Sequence, residues 1–85
     1  GKLITLRLLG SIKKYCGKES IIIHENEIML SNIFSILYQN ITNSKHIDKE
    51  DLLVLINGVD LSISGTDQKI KSGDIVTIAN LIHGG

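Results

Sequence analysis

Apolar and polar residues alternate from Leu3 to Leu9, with Ile4, Leu6 and Leu8 on one parity and Thr5 and Arg7 on the other. Period two with one polar face predicts a half-buried strand. Ser20 to His24 carries the β-branched run Ile21, Ile22 and Ile23 and predicts a second strand. The stretch between them, Gly10 to Gly17, is bracketed by glycines and holds Lys13 and Lys14, so it reads as a turn region joining a hairpin. The period then changes. Leu30, Ile33, Phe34, Leu37 and Ile41 recur at spacings of three and four, with Ser31, Asn32, Ser35 and Gln39 on the other side. That pattern predicts an amphipathic helix, with Asn26 or Ser31 as its N-cap. Thr42 to Asp51 is polar and reads as a loop.

Leu52 to Ile56 is apolar on both parities, as in a strand covered on both faces. Asn57-Gly58 follows directly, and both residue types tolerate positive φ, so this is the strongest hairpin signal in the chain. Val59 to Ile63 reads as a short return strand. Ser64 to Ser72 reads as a loop from which Ile70 alone points inward, and Ser72-Gly73-Asp74 as a turn. Ile75 to Ile78 is the last predicted strand, and Asn80 to Gly85 a tail. The domain is therefore placed at residues 2–79, with a flexible tail at 80–85 that ends in Gly-Gly. Gly1 stands where an initiator Met is usual and is left out.

Strand, strand, helix, strand, short strand, strand is an α+β order, and the helix must cover one sheet face. A right-handed crossover would set the first and last strands side by side in the middle of a mixed sheet of four to five strands. That is the β-grasp, or ubiquitin-like, arrangement; ferredoxin-like layouts share the order in part. If Ile4, Leu6, Leu8, Val76 and Ile78 face the helix, then Leu3, Thr5, Arg7, Ile75 and Thr77 face outward. With Leu53 and Leu55 they form an apolar patch around one Arg, of the kind that marks a partner site.

Composition narrows the function classes. A chain of 85 residues has room for one core but no deep catalytic cleft. Nine Lys and Arg balance nine Asp and Glu, so no basic excess speaks for direct nucleic-acid binding. No apolar run approaches the ~20 residues of a membrane-spanning helix. One cysteine, Cys16, excludes an internal disulfide, and no leader pattern opens the chain, so a cytoplasmic setting is expected. Cys16 lies near Lys14 and Lys18 but reads as a small hydrophobe, with no His at a motif distance. His24, His46 and His83 have none of the spacings of a metal site, and Gly58, Gly65 and Gly73 form no phosphate-binding motif. The domain is expected to be a monomer and not an enzyme.

The chemistry gathers at Gly84-Gly85. A carboxylate that must reach the α-phosphate of ATP inside a partner has to thread a narrow channel, and glycine has no Cβ to clash there. Ordering such a tail costs ~1–2 kcal/mol per residue, which contacts from the globular body must offset.

Over essentially its whole length the chain resembles the ubiquitin-like sulfur-carrier superfamily. Its members include the molybdopterin-synthase small subunit, the thiazole-synthesis sulfur carrier, the ubiquitin-related modifier and the small archaeal modifier proteins. The resemblance sits in Val54 to Gly58, in Ile70, Gly73 and Asp74, and in the spacing of Ile75 to Gly85. Prolines usual before the end in molybdopterin-type members are replaced by Asn80-Leu81, and Ile82-His83-Gly84-Gly85 looks most like the Leu-His-Gly-Gly ending of the ubiquitin-related modifiers. Ser72 stands where an acidic turn residue is often found.

The resemblance implies that an adenylating, ubiquitin-activating-like enzyme uses ATP and Mg to activate Gly85. The chain itself would bind no cofactor. The adenylate would become a thiocarboxylate, which donates sulfur in tRNA thiolation or acylates target-protein lysines. A tRNA-thiolation enzyme and the proteasome would act downstream. Gly84, His83 and Ile82 would be read by the activating enzyme, and Leu3, Thr5, Arg7, Ile75 and Thr77 would dock it. The alternatives are a dedicated molybdopterin-synthase small subunit, a non-conjugated β-grasp adaptor and, more distantly, an RNA-binding β-grasp domain.

Overall fold

The computed structural model describes residues 2–42, 46–61 and 67–80. Within them the chain runs through β1 (Ile4–Leu9), α1 (Gly10–Cys16), β2 (Ser20–Ile23), β3 (Glu27–Met29) and α2 (Leu30–Asn40). A single 3-10 turn (Lys49–Asp51), β4 (Leu52–Ile56), β5 (Val59–Asp60), β6 (Lys69–Lys71) and β7 (Ile75–Asn80) complete it. The main sheet has the order β2-β1-β7-β4-β5, with β1 and β7 parallel and the other pairs antiparallel. The first and last strands thus lie together at the centre, which is the β-grasp.

Alternation along β1 and β7 sends Ile4, Leu6, Leu8, Val76 and Ile78 into one core, each almost fully buried. Leu30, Ile33 and Leu37 of α2 are buried with them, and Phe34 and Ile41 pack at the margin. This is the helical stripe read from the sequence, and its removal from water supplies the main drive to fold.

Four local expectations are corrected. Gly10 to Gly17 is not a turn but contains a seven-residue helix, α1, whose Ile12 and Cys16 are buried one turn apart. The glycines at its two ends are what the turn reading rested on, and both have positive φ: Gly10, the first helix residue, at 62° and Gly17, its cap, at 71°. Gly17 closes the helix in the left-handed region, its N–H donating to the Lys13 carbonyl.

The N-cap of α2 is neither Asn26 nor a side chain of its own segment. The helix starts at Leu30 behind Met29, which makes no side-chain cap. Asp67 serves from a distance: its carboxylate accepts the Ser31 N–H at 3.0 Å and the Ser31 hydroxyl at 2.7 Å. An anion at the start of a helix also meets the positive end of its dipole.

The loop expected over Ser64 to Ser72 contains β6, which pairs with β3 in a separate two-stranded sheet. Ile28 faces Ile70 across it, and Ile70 is the inward residue expected. Three-residue strands leave too little alternation to read. Finally, of the return strand expected over Val59 to Ile63, Val59 and Asp60 form β5, Leu61 does not continue it and residues 62–63 lie outside the described residues, while β7 runs on to Asn80.

Asn57 (φ 51°) and Gly58 (φ 84°) make the expected hairpin turn. Asn57 does more than turn. Its side-chain oxygen accepts the Ile75 N–H at 2.9 Å, and its amide donates to Asp74 at 2.9 Å. The β4–β5 turn is thereby tied to the start of β7. Asn57→Ala removes both bonds and the residue best suited to positive φ, so it is expected to lower stability by about 1–2 kcal/mol in urea unfolding. Asn57→Gly keeps the backbone freedom and should lose less.

Candidate functional site

The sheet face opposite α2 is the surface on which the sequence placed a partner. Strand register assigns its rows. Ile22, Thr5 and Ile75 lie across one row, and Ser20, Arg7, Thr77, Leu55 and Asp60 across the next. Leu9, Ala79 and Leu53 form the third. Leu3 (46% exposed) and Ile75 (42%) are open to solvent, Arg7 is exposed and Thr5 half-buried.

Thr77 departs from the expectation. It has the outward parity but is only 8% exposed. Its strand is central, and Arg7 and Leu55 stand directly opposite it on the two flanking strands. Lateral neighbours, not parity, decide how much of a mid-sheet residue is left open. Thr77 is therefore a floor for the patch and not part of its accessible rim.

Two exposed apolar members were missed, Leu9 (40%) and Ile22 (42%). Leu9 shares the parity of Thr5 and Arg7, which was a usable signal. Ile22 is exposed because it pairs with Thr5 on the outward face of an edge strand. The patch is thus a set of aliphatic side chains around Arg7, to which no described residue supplies an ion pair.

Ile82, His83, Gly84 and Gly85 lie outside the described residues. Their point of departure is described. β7 ends at Asn80 in the middle of the sheet, and its neighbour β1 hands over to α1 at the same level, since Leu9 pairs with Ala79. In the sequence, residues 81–85 follow directly on this central strand.

Other chemistry-bearing residues are quiet. Cys16 is buried, and burial pushes its thiol above the ordinary value despite the opposing pull of Lys18. A raised pKa means less thiolate and low reactivity at neutral pH. His46 Nε2 sits 2.9 Å from Asp48 on the surface. Among the described residues no group of three or more His, Cys, Asp or Glu gathers as a metal site would require. None of their helices is long and apolar enough to cross a membrane.

Two carboxylates are held below the usual range. The Lys71 N–H (2.8 Å) and then the Asn57 amide bind ionised Asp74, with Lys71 adding attraction. Asp67 is lowered first by the Ser31 hydroxyl and then by the Ser31 N–H. A carboxylate whose folded pKa is depressed contributes stability that is fully present above its unfolded value of about 4 and is lost as pH falls through the lower folded value. The melting temperature should hold between pH 7 and about 5 and fall below about 4. Asp74→Asn should flatten that fall in a thermal titration.

No family model matches the chain, and no curated protein does. Solved structures do. Urm1 from Trypanosoma brucei superposes with a TM-score of 0.74 at 20% identity, covering 99% of this chain and 96% of that one. The small archaeal modifier protein 1 from Methanosarcina acetivorans gives 0.70 at 15% identity, with 100% of each chain covered. A chain from the complex of subunits 1 and 2 of molybdopterin-converting factor from Helicobacter pylori gives 0.60 at 20% identity, covering 98% and 99%. At these identities the likeness establishes a shared fold: the chain has the β-grasp of these modifier and molybdopterin-converting factor structures.

Proposed function

We propose that this chain is a ubiquitin-like protein modifier and sulfur carrier that reacts through the carboxylate of Gly85. An adenylating enzyme with MgATP would bring that carboxylate to the α-phosphorus, form the acyl-adenylate and release pyrophosphate. A sulfide-level nucleophile, hydrosulfide or a donor persulfide whose S–S bond a thiol then reduces, would attack the carbonyl carbon, displace AMP and leave a thiocarboxylate. That group would either give up its sulfur, as in tRNA thiolation, or acylate a lysine amine on a target protein and mark it for the proteasome. In each route the chain is carrier and substrate, and the catalysis belongs to its partners. It would act as a monomer in the cytoplasm.

The observation that carries this reading is topological. The central strand β7 ends at Asn80, and Gly84-Gly85 lies only a few residues further along the sequence. A packed body followed closely in sequence by a Gly-Gly pair suits a channel-threading reaction, because glycine has no Cβ to clash. The open aliphatic face around Arg7 supports a body contact that would offset the cost of ordering the lead. Likeness to Urm1 and to a small archaeal modifier protein adds to the same reading. Likeness to a molybdopterin-converting factor chain keeps one second reading, a dedicated small subunit whose tail never conjugates.

Branched-peptide mapping separates the two. After Lys71 the sequence holds no Lys or Arg up to Gly85. Trypsin would therefore leave residues 72–85 as a branch on each acylated lysine. Such branches on proteins from native cells are the expected result. Free chain alone, with no branch on any protein, would favour the dedicated subunit.

A further inference from the structure

The balanced net charge hides a strong separation. Residues 1–18 hold the cations Lys2, Arg7, Lys13, Lys14 and Lys18 and no acid, while all nine acids follow from Glu19 onward. Folding gathers four of these cations at one pole. Lys13, Lys14 and Lys18 line a surface hollow with Gly10, Gly17 and Glu19. Lys13 and Arg7 line a second hollow with Leu9, on the outward side of β1. Lys13 and Glu19 belong to both, so the two hollows adjoin. Glu19 pairs with Lys13 at 3.2 Å, and Lys18 donates to Asn40 at 2.9 Å. Arg7 and Lys14 have no charged partner among the described residues.

This pole sits where the chain leaves the sheet. Leu9 pairs with Ala79, α1 begins at Gly10, and α1 packs against β7. Five residues follow Asn80, and an extended run of that length spans at most about 17 Å.

We propose that Arg7, Lys13, Lys14 and Lys18 form a docking rim for an acidic protein surface, one that borders the opening through which a partner receives the last residues. The site of tail entry rests on the function proposed above; the rim and its preference for carboxylates do not. Two features favour protein over RNA. The rim is continuous through Leu9 with the open aliphatic sheet face, giving the apolar centre and charged border of a protein interface. It also lacks an exposed aromatic ring on which a base would stack, since Tyr15 is half-buried. Charges placed at such a border speed encounter and set orientation.

Two-dimensional amide NMR of the labelled chain tests this. The probes are a synthetic peptide of repeated Glu-Glu-Leu, its Lys-Lys-Leu counterpart and a single-stranded RNA homopolymer. The acidic peptide should shift amides within residues 7–19, more weakly at higher salt, and the basic peptide should not. Lys13→Glu with Lys14→Glu should weaken the acidic peptide about tenfold, and Lys69→Glu with Lys71→Glu, the same charge change on β6, less than about twofold. Mapping on the unaltered chain needs no variant to fold. Absence of shifts in 7–19, equal binding of both peptides, or tighter binding of the RNA at this rim would overturn the proposal. None of these results touches adenylation at Gly85, which is read separately from branched peptides.

Discussion

A chain that stops at His83 is expected to lose every conjugate and every activated form while keeping its fold. The described core draws on residues up to Ile78, and β7 closes at Asn80. Removing Gly84 and Gly85 therefore takes away no buried side chain. The melting temperature should stay within a degree or two of the full-length value, because surface changes away from the core rarely exceed about 0.5 kcal/mol. What goes is the chemistry. The carboxylate of His83 would carry a Cβ and an imidazole next to the reacting carbon, where the proposed channel admits neither. In native cells, a denaturing blot of the tagged full-length chain should show a ladder of heavier bands. The truncated chain should show only the free protein. A ladder that survives truncation would move the reaction elsewhere on the molecule.

The second large effect is on stability, and it lies within β7. Ile78 is fully buried at the centre of the sheet. Ile78→Ala is expected to cost about 2–5 kcal/mol through lost burial and the cavity left behind. Total stability for a domain of this size is about 4–13 kcal/mol, so the melting temperature should fall by roughly 10–30 °C. Ile75→Ala, three residues earlier on β7 but 42% exposed on the open face, should cost under about 1 kcal/mol. The contrast between two isoleucines of one strand measures the two-residue period directly. Similar losses from both, seen in thermal or urea unfolding, would mean that the open face is buried in solution.

Where a signal was local, the sequence announced the structure. Alternation in β1, the three-and-four stripe of α2 and the Asn57-Gly58 turn each depend on residues within a few positions of one another. Ile70 was legible as a lone apolar residue in polar surroundings. The misses required distance. Asp67 caps a helix 36 positions away, and nothing near Ser31 signals it. Thr77 is closed off by side chains on β1 and β4, which only the strand register brings beside it. α1 was hidden for another reason. Ile12, Tyr15 and Cys16 have helical spacing, but a seven-residue helix that opens on one positive-φ glycine and closes at another offers little pattern against a strong turn signal.

The candidate site divides in the same way. Parity along two strands placed Leu3, Thr5, Arg7 and Ile75 on one face, and the register brings them together with Leu9 and Ile22. The separation of charge along the chain was in plain view, yet a net charge of zero concealed it. Its meaning depends on α1 lying beside the end of β7, which no composition reveals.

The most direct test of carrier chemistry at Gly85 is the intact mass of the protein drawn gently from its native cells, with fragmentation to read the C terminus. The expected result is a chain ending at Gly85, with a fraction heavier by the replacement of one oxygen by sulfur and that change confined to Gly85. A chain that continues past Gly85, or one that ends there and never carries sulfur or a joined lysine, would contradict it.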